Sequence, residues 1–116
     1  MADYDPDCLF CRIAAGEIPS EIVHSDDQIV VFRDINPRAP THVLAIPRRH
    51  IPSAAELTDG DAPLLAALFA ALRRVAEEAG VRSYRIVTNV GADAGQSVFH
   101  LHFHLLAGRT MTWPPG

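Results

Sequence analysis

The sequence contains no lysine, and all ten of its basic residues are arginines. This absence excludes Schiff-base catalysis and the phosphate-binding lysine of P-loop proteins. Any phosphate chemistry must therefore rely on histidine, arginine, serine, asparagine or backbone amides.

Long apolar runs and positive charge are also scarce. No run approaches the ~20 apolar residues of a membrane span, and a net charge of −4 argues against a nucleic-acid polymer as partner. The acidic N-terminus does not predict a signal peptide, since no apolar segment follows a basic start. We therefore expect a cytoplasmic protein with neither a membrane nor a nucleic-acid partner. With 116 residues, 48% of them hydrophobic, we expect one domain spanning 1–116, with residues 1–7 flexible.

What the sequence does contain is a run of alternating histidines in residues 100–106, HLHFHLL. In a strand successive side chains point to opposite faces, so His100, His102 and His104 share one face and the other is apolar. A helix would leave neither face apolar. Same-face neighbours lie roughly 6.5–7 Å apart along a strand, which suits a phosphate chain better than one tetrahedral metal. Chance, an expression tag and a purely metal-binding strand are the alternatives. A catalytic or nucleotide-binding strand is favoured because imidazole titrates near neutral pH.

Cysteine occurs only twice, as the pair Cys8 and Cys11. This spacing is found in redox motifs, in half-sites for zinc and in packed thiols. A thioredoxin-like motif needs a βαβ context, which the sequence lacks. Zinc needs two further ligands, and His50 and His100 are the candidates.

The remaining pattern predicts four more strands and one long helix. The strands are expected at 21–25, 28–33, 42–46 and 84–89, and a short helical turn at 12–15. The helical region is 53–79, with Asp61 as its cap and Pro63 in its first turn. Its apolar stripe is expected to pack on the sheet or on a partner chain. The glycine-rich loop 89–97 lets backbone amides approach an anion.

The histidine run resembles the signature of the histidine triad (HIT) superfamily, His-x-His-x-His followed by two apolar residues. Several further motifs resemble its HINT branch, the histidine triad nucleotide-binding proteins, and occur in the same order. They are residues 34–42 (DINPRAPTH), 46–50 (IPRRH), Asn89, 95–97 (GQS) and 113–116 (WPPG). The resemblance extends from about Cys8 to Gly116.

The resemblance implies an α+β fold with a five-stranded antiparallel sheet, one long helix and short helical turns. It also implies a homodimer whose two sheets join, with the tail 111–116 of one subunit near the active site of the other. A structural zinc bound by Cys8, Cys11, His50 and His100 would follow, while other members of the family lack the cysteines.

The implied activity is hydrolysis of purine nucleoside 5′-monophosphate derivatives, with AMP phosphoramidates favoured and AMP or GMP as the bound nucleotide. His102 would form a nucleotidyl-histidine intermediate, and no cofactor would take part in catalysis. The alternatives are a dinucleoside polyphosphate hydrolase and a nucleotide-binding regulator with incidental activity. The implied catalytic residues are His102, His104, His100, His42 and Ser97. The implied nucleotide contacts are Phe10, Ile13, Phe32, Asp34, Ile35, Asn89, Gly95, Gln96, Ser97, Val98, His102, His104 and Trp113.

Overall fold

The computed structural model describes residues 3–116, and within them two α-helices and five strands form an α+β fold, as predicted. The helices are α1 (Leu9–Ala14) and α2 (Ala62–Glu78). The strands are β1 (Ile22–Ser25), β2 (Ile29–Arg33), β3 (Thr41–Pro47), β4 (Tyr84–Val87) and β5 (Phe103–Ala107). Short 3₁₀ turns lie at Ala54–Glu56, Asp59–Asp61 and Ala92–Ala94. Within residues 3–116, no helix combines the length and the apolar character that a membrane-spanning segment requires.

The five strands form one antiparallel sheet in the order β1-β2-β3-β5-β4. The last strand, β5, is therefore inserted between β3 and β4. Its side chains are flanked on both sides by neighbouring strands, which fixes their positions. Strands β1 and β4 lie at the two edges.

The alternation of β5 separates the two faces of the sheet. Leu101, Phe103 and Leu105 belong to the core cluster that α2 covers. The opposite face carries a second cluster, in which Phe10 and Ile13 of α1 pack on Phe32 and other β2 and β3 side chains. His104 of β5 lies on this second face, as do His100 and His102 in the segment that leads into the strand. We call it the histidine face.

Two of the predicted boundaries are wrong at functionally relevant places. Strand β5 begins at Phe103 rather than His100. The preceding segment is held instead by a hydrogen bond from the Leu101 amide to the Ile51 carbonyl (2.6 Å). Helix α1 begins at Leu9, three residues before the predicted turn, because Cys8 caps it by accepting the Cys11 amide on its sulfur.

Smaller differences concern element ends. Pro47 is the last residue of β3 rather than its stop, and β4 ends at Val87 rather than Asn89. Asp61 precedes α2, but its carboxylate binds the Thr58 amide and the Arg49 guanidinium instead of capping the helix.

The N-terminal segment was expected to be flexible over residues 1–7, of which 1 and 2 lie outside the described residues. From residue 3 onward the segment is attached to the domain. The Asp3 carbonyl accepts the His50 amide, the Tyr4 hydroxyl bonds to Glu17, and the Asp5 amide points at the Cys11 sulfur (3.4 Å).

Candidate catalytic site

The histidine face brings together residues from three neighbouring strands in two cross-strand rows. In one row His42 of β3 lies opposite Leu106 of β5, and Leu106 lies opposite Arg85 of β4. In the next row Leu44, His104 and Val87 are neighbours. His42 and His104 are thus diagonal neighbours, close enough for their rings to meet.

His102 is held in a single tautomer by the backbone. Its Nδ1–H donates to the His100 carbonyl at 2.7 Å, and the carbonyl oxygen can only accept. The lone pair of Nε2 is therefore free. The Thr88 hydroxyl donates to the carbonyl of His102 at 2.7 Å and fixes the backbone at this point.

His42 and His104 form a directed hydrogen-bonded pair. The Arg38 amide donates to Nδ1 of His42 (3.0 Å), so the proton of neutral His42 is on Nε2. That nitrogen lies 2.9 Å from Nδ1 of His104, to which it donates. The proton of neutral His104 is consequently on Nε2, where it can be donated to a ligand.

Burial favours the neutral form of all three rings. Burial lowers the pKa of His104 to about 4, and the neighbouring His102 and His42 add to the effect. Burial also lowers the pKa values of His102 and His42. Neutral rings are what the tautomer assignment requires, and a neutral His102 keeps its lone pair available for attack.

A cleft of about 460 Å³ opens beside these histidines. Its inner wall is apolar, with the Phe10 ring edge-on to Phe32 (centroids 5.4 Å apart) and to His102 (5.0 Å). Its other end is polar and includes Asn89, Ser97 and His104. An apolar slot leading to a few convergent polar groups is the usual form of a small-molecule site.

Asp34 lies at the rim of the cleft and has two neighbours of its own. One carboxylate oxygen accepts the Asn36 amide at 2.8 Å and closes a turn. The other lies 3.4 Å from Nε2 of His42, and the side chain is 18% exposed. The carboxylate therefore keeps acceptor capacity on the side that faces the cleft.

Most of the predicted nucleotide contacts do line this cleft. They are Phe10, Ile13, Phe32, Asp34, Ile35, Asn89, Gly95, Ser97, Val98, His102 and His104. The lining also includes Leu9, Ile18, Pro19, Ser20, Arg33, Asn36 and Leu44, which we did not predict. Leu44 follows His42 by two residues on β3, so strand alternation alone would have identified it. Pro19 and Ser20 come from an irregular segment with no comparable pattern.

Gln96 does not belong to the cleft. Its side chain is buried, accepts the Gly91 amide at 2.9 Å and donates to the Pro52 carbonyl at 2.8 Å and the Val98 carbonyl at 3.1 Å. These bonds support the glycine-rich loop from behind and use both of its functional groups. The structure therefore does not bring the Gln96 side chain to the cleft, where a nucleotide contact was predicted.

The side chains of His100 and Trp113 also lie outside this cleft. The His100 ring is fully buried against the cysteines and does not line the cleft, so only its carbonyl reaches the nucleophile. Trp113 is 81% exposed and is not among the cleft residues.

The second group of reactive side chains lies behind the cleft. Nδ1 of His100 is 3.4 Å from the Cys8 sulfur and 3.5 Å from the Cys11 sulfur, and Nδ1 of His50 is 3.3 Å from the latter. All four ligand atoms lie within 4.8 Å of one another. A tetrahedral zinc with ordinary bond lengths spaces its ligand atoms about 3.3–3.8 Å apart.

Hydrogen bonds show which cluster suits a metal. Nε2 of His100 donates to the Pro47 carbonyl at 2.7 Å, which leaves Nδ1 unprotonated towards the thiols. The residues Asp34, His42 and His104 also form a group of potential ligands. There, however, the Arg38 amide keeps the His42 proton on Nε2, the atom that would have to bind the ion. The cysteine cluster therefore fits zinc. In the other group, His42 and His104 form a hydrogen-bonded pair instead.

Comparison with known proteins supports the resemblance. The family model described as "Scavenger mRNA decapping enzyme C-term binding" matches residues 7–113. An uncharacterized HIT-like protein of Synechocystis sp. is 45% identical over 111 residues, which cover 95% of this chain and 97% of the relative. The chain belongs to the histidine triad (HIT) family.

Solved HIT structures share the whole fold. A HIT family hydrolase from Legionella pneumophila Philadelphia 1 is 49% identical, with a TM-score of 0.93 over 95% of this chain and 100% of that chain. A histidine triad protein from Clostridium difficile is 39% identical, with a TM-score of 0.90 over 93% and 96%. The α+β fold of this HIT protein is thus that of its relatives.

Proposed function

We propose that this HIT protein is a hydrolase that cleaves purine nucleoside 5′-phosphoramidates, with AMP or GMP as the nucleotide released. The observation that carries the proposal is the hydrogen bond from Nδ1 of His102 to the His100 carbonyl, which leaves the Nε2 lone pair free beside an apolar slot. A purine fits against the apolar wall that Phe10 and Phe32 form, and Asp34 accepts the ribose hydroxyls at the rim.

The first step is attack of Nε2 of His102 on the α-phosphorus. The new N–P bond forms as the P–N bond to the amine breaks, and the departing nitrogen takes up a proton from the His42–His104 pair. The negative phosphoryl group, with the Asp34 carboxylate nearby, favours the extra proton on this pair. The positive charge that develops on His102 is stabilised by the His100 carbonyl.

The second step is hydrolysis of the nucleotidyl-histidine. Water attacks phosphorus, the His102–P bond breaks, and one proton of the water returns to the His42–His104 pair. Ser97 and Asn89, together with amides of the glycine-rich loop, bind the phosphoryl oxygens throughout. Splitting the reaction in two is the advantage of covalent catalysis.

A second candidate substrate class is the dinucleoside polyphosphates, because the matched family is described by a scavenger mRNA decapping enzyme. The same nucleophile would attack the α-phosphorus, but the leaving group would be a nucleotide instead of an amine. Turnover of matched AMP–amine, diadenosine polyphosphate and cap dinucleotide substrates separates the classes. We expect the amine conjugate to have the highest kcat/KM. A higher value for either polyphosphate would contradict the proposal, and nucleotide binding without turnover would indicate a regulator.

The ribose contact gives a prediction for Asp34→Asn. Asparagine keeps the oxygen that closes the turn with Asn36 but loses the charge, so AMP should bind about ten- to a hundredfold more weakly, the range of a hydrogen bond to a charged group. Binding of 2′,3′-dideoxy-AMP should change little. Titration calorimetry with both ligands measures the difference, and Asp27→Asn, an exposed turn carboxylate, is the control. Equal losses for the two ligands would mean that Asp34 acts only through the turn.

We further propose that Cys8, Cys11, His50 and His100 hold one structural zinc ion. The interatomic distances, the free Nδ1 of His100 and the burial of both cysteines support it. Burial raises the pKa of the Cys11 thiol to about 11, so a cation is required to hold it as a thiolate. Bound zinc would tie the N-terminal segment to the sheet, and the chemistry at phosphorus would proceed without it. A cytoplasmic location would keep both thiols reduced.

We also propose a homodimer joined through an edge strand of the sheet. Among the described strands, β1 pairs only with β2 and β4 only with β5, so each leaves one edge open. Antiparallel pairing about a two-fold axis covers such an edge and joins two sheets into one. Light scattering should give twice the 12.6 kDa of one chain. The mass of a single chain at micromolar concentration would contradict the dimer.

A further inference from the structure

The loop between β2 and β3 controls which nitrogen of His42 carries the ring proton. The Arg38 amide donates to Nδ1 of His42 at 3.0 Å, and Nε2 of His42 lies 2.9 Å from Nδ1 of His104. Without the amide, the proton of His42 can move to Nδ1, and Nε2 then becomes an acceptor. His104 would in turn place its own proton on Nδ1 and would have none on Nε2 for a ligand. The donor on His104 therefore depends on where the loop holds Arg38.

A side chain from the other end of the chain holds this part of the loop. Nε of Arg109 donates to the Arg38 carbonyl at 2.8 Å, and Nη1 of the same guanidinium donates to the Thr110 carbonyl at 3.3 Å. Pro37 and Pro40 flank Arg38 closely and have no amide hydrogen with which to anchor the loop. The backbone of Arg38 is thus bonded on both sides, to Arg109 through its carbonyl and to His42 through its amide.

The turn that carries Arg109 is packed on the same loop. Gly108 directly follows β5 and has φ +96°, a left-handed conformation that favours glycine. A Cβ at this position would lie 2.9 Å from Cβ of Pro40, so only glycine allows the two backbones to come this close. The close approach places the Arg109 side chain beside the Arg38 carbonyl.

The charge of Arg109 also acts on His42. Burial is the main cause that lowers the pKa of His42, the Asp34 carboxylate opposes it, and the positive charges of Arg38 and Arg109 add to it. Among residues 3–116, Arg109 forms no ion pair with a carboxylate that would cancel its charge. A positive neighbour disfavours a second proton on His42, and the neutral ring is the form that can accept the Arg38 amide.

We propose that Arg109 is a positioning residue for the His42–His104 pair. Acting through the backbone of Arg38, it holds His42 in the tautomer that leaves a donor proton on Nε2 of His104. Its effect on turnover rests on the proposed hydrolase function, in which this pair supplies the proton to the departing nitrogen. Its effect on the tautomers does not, because the contacts exist without substrate.

The first test observes the rings by NMR in ligand-free protein whose histidines carry an NMR-active nitrogen isotope. At mildly alkaline pH, the signals of Nδ1 in both His42 and His104 should be those of an unprotonated nitrogen. Arg109→Met keeps an apolar stem but removes the donor, so both signals should move towards the average of the two tautomers. The signals of His24, which lies far from this loop at the β1–β2 turn, should stay in place. Identical His42 signals in Arg109→Met and wild type would overturn the proposal.

Arg82→Met is the matched control. Arg82 lines the same cavity of about 740 Å³ as Arg109, and within the described part of the chain its side chain makes no hydrogen bond. Its replacement removes the same charge from the same cavity without touching Arg38, so the His42 signals should keep their wild-type positions. Arg109→Lys keeps a charged donor and should return the signals part of the way. An equal shift in Arg82→Met and Arg109→Met would mean that only charge acts, and would overturn the positioning role.

The second test compares two AMP derivatives whose leaving groups differ in their need for a proton. The nitrogen of an alkyl phosphoramidate must be protonated as it departs, whereas a nitrophenyl ester releases a stable anion. In single-turnover release of the leaving group, Arg109→Met should react about tenfold more slowly with the phosphoramidate, the low end of what a hydrogen bond to a charged group contributes. Its rate with the ester should change little. A merely structural role would slow both reactions equally, and that result would overturn the effect on catalysis.

The two tests separate this inference from the proposed function. If the wild-type protein cleaves neither substrate, the proposed function fails, and the ring signals still decide whether Arg109 positions the pair. If the wild type cleaves both, and the signals move in Arg109→Met without a change in the ratio of the two rates, the tautomer is held by Arg109 but the catalytic consequence is refuted.

Discussion

Replacing His102 by alanine should lower kcat/KM for an AMP phosphoramidate by at least about 10³-fold, because loss of a nucleophile typically costs several orders of magnitude. AMP should still bind nearly as tightly as to the wild type, since the base slot and Asp34 do not depend on this ring. Single-turnover kinetics and calorimetry measure the two quantities separately. His102→Gly with added imidazole should recover part of the rate if a free ring can enter the space.

The control for this experiment is His24→Ala. His24 is the only histidine outside the two clusters, and it bonds to Asp26 at the β1–β2 turn. Its replacement should leave the rate unchanged. A His102→Ala variant that retains more than about a tenth of the wild-type rate would refute the nucleophile assignment.

Removal of zinc should have the largest effect on stability. The purified protein should carry about one zinc per chain, and chelation should lower its Tm by about 10 °C or more, the size expected when a domain of this length loses a few kcal/mol. Cys11→Ser should lower zinc content and Tm together, while His24→Ala should lower neither. Elemental analysis and thermal unfolding measure both quantities.

Two results would contradict the zinc site. One is protein expressed with zinc present that contains none. The other is free titration of both Cys8 and Cys11 thiols in the native state. Either result would leave the cysteines as packed side chains. Loss of activity in chelated protein that remains folded would contradict the purely structural role instead.

The two clusters meet at one residue. The ring of His100 faces the thiols, and its carbonyl accepts the Nδ1–H of His102. Anything that holds the His100 ring in place also holds the acceptor that fixes the nucleophile's tautomer. The sequence pointed to His100 as a partner of the cysteines but did not show that this contact would exclude its ring from the cleft.

The alternation of residues 100–106 was sufficient to predict the two faces of β5. A period of two constrains side-chain direction even where an extended segment does not pair with a neighbouring strand. It was not sufficient to place the start of the strand. The segment before Phe103 bonds to Ile51 instead of to a neighbouring strand, and such a tertiary contact leaves no local pattern.

Loop residues were predicted less well, for a related reason. Gln96 and Ser97 are adjacent polar residues in one motif, yet one supports the loop and the other lines the cleft. Which side chain turns inwards depends on carbonyls at Pro52 and Val98 that become available only in the folded chain. The link from Arg109 to the Arg38 carbonyl likewise joins residues 71 positions apart and has no sequence signature.

The stereochemical course at phosphorus tests the central claim most directly. Hydrolysis of a phosphoramidate made chiral at the α-phosphorus, run in isotopically labelled water, gives AMP whose configuration can be determined. Attack by His102 followed by attack of water inverts the centre twice, so the account predicts net retention. Net inversion would mean that water displaces the amine in one step, and it would contradict a nucleotidyl-histidine intermediate.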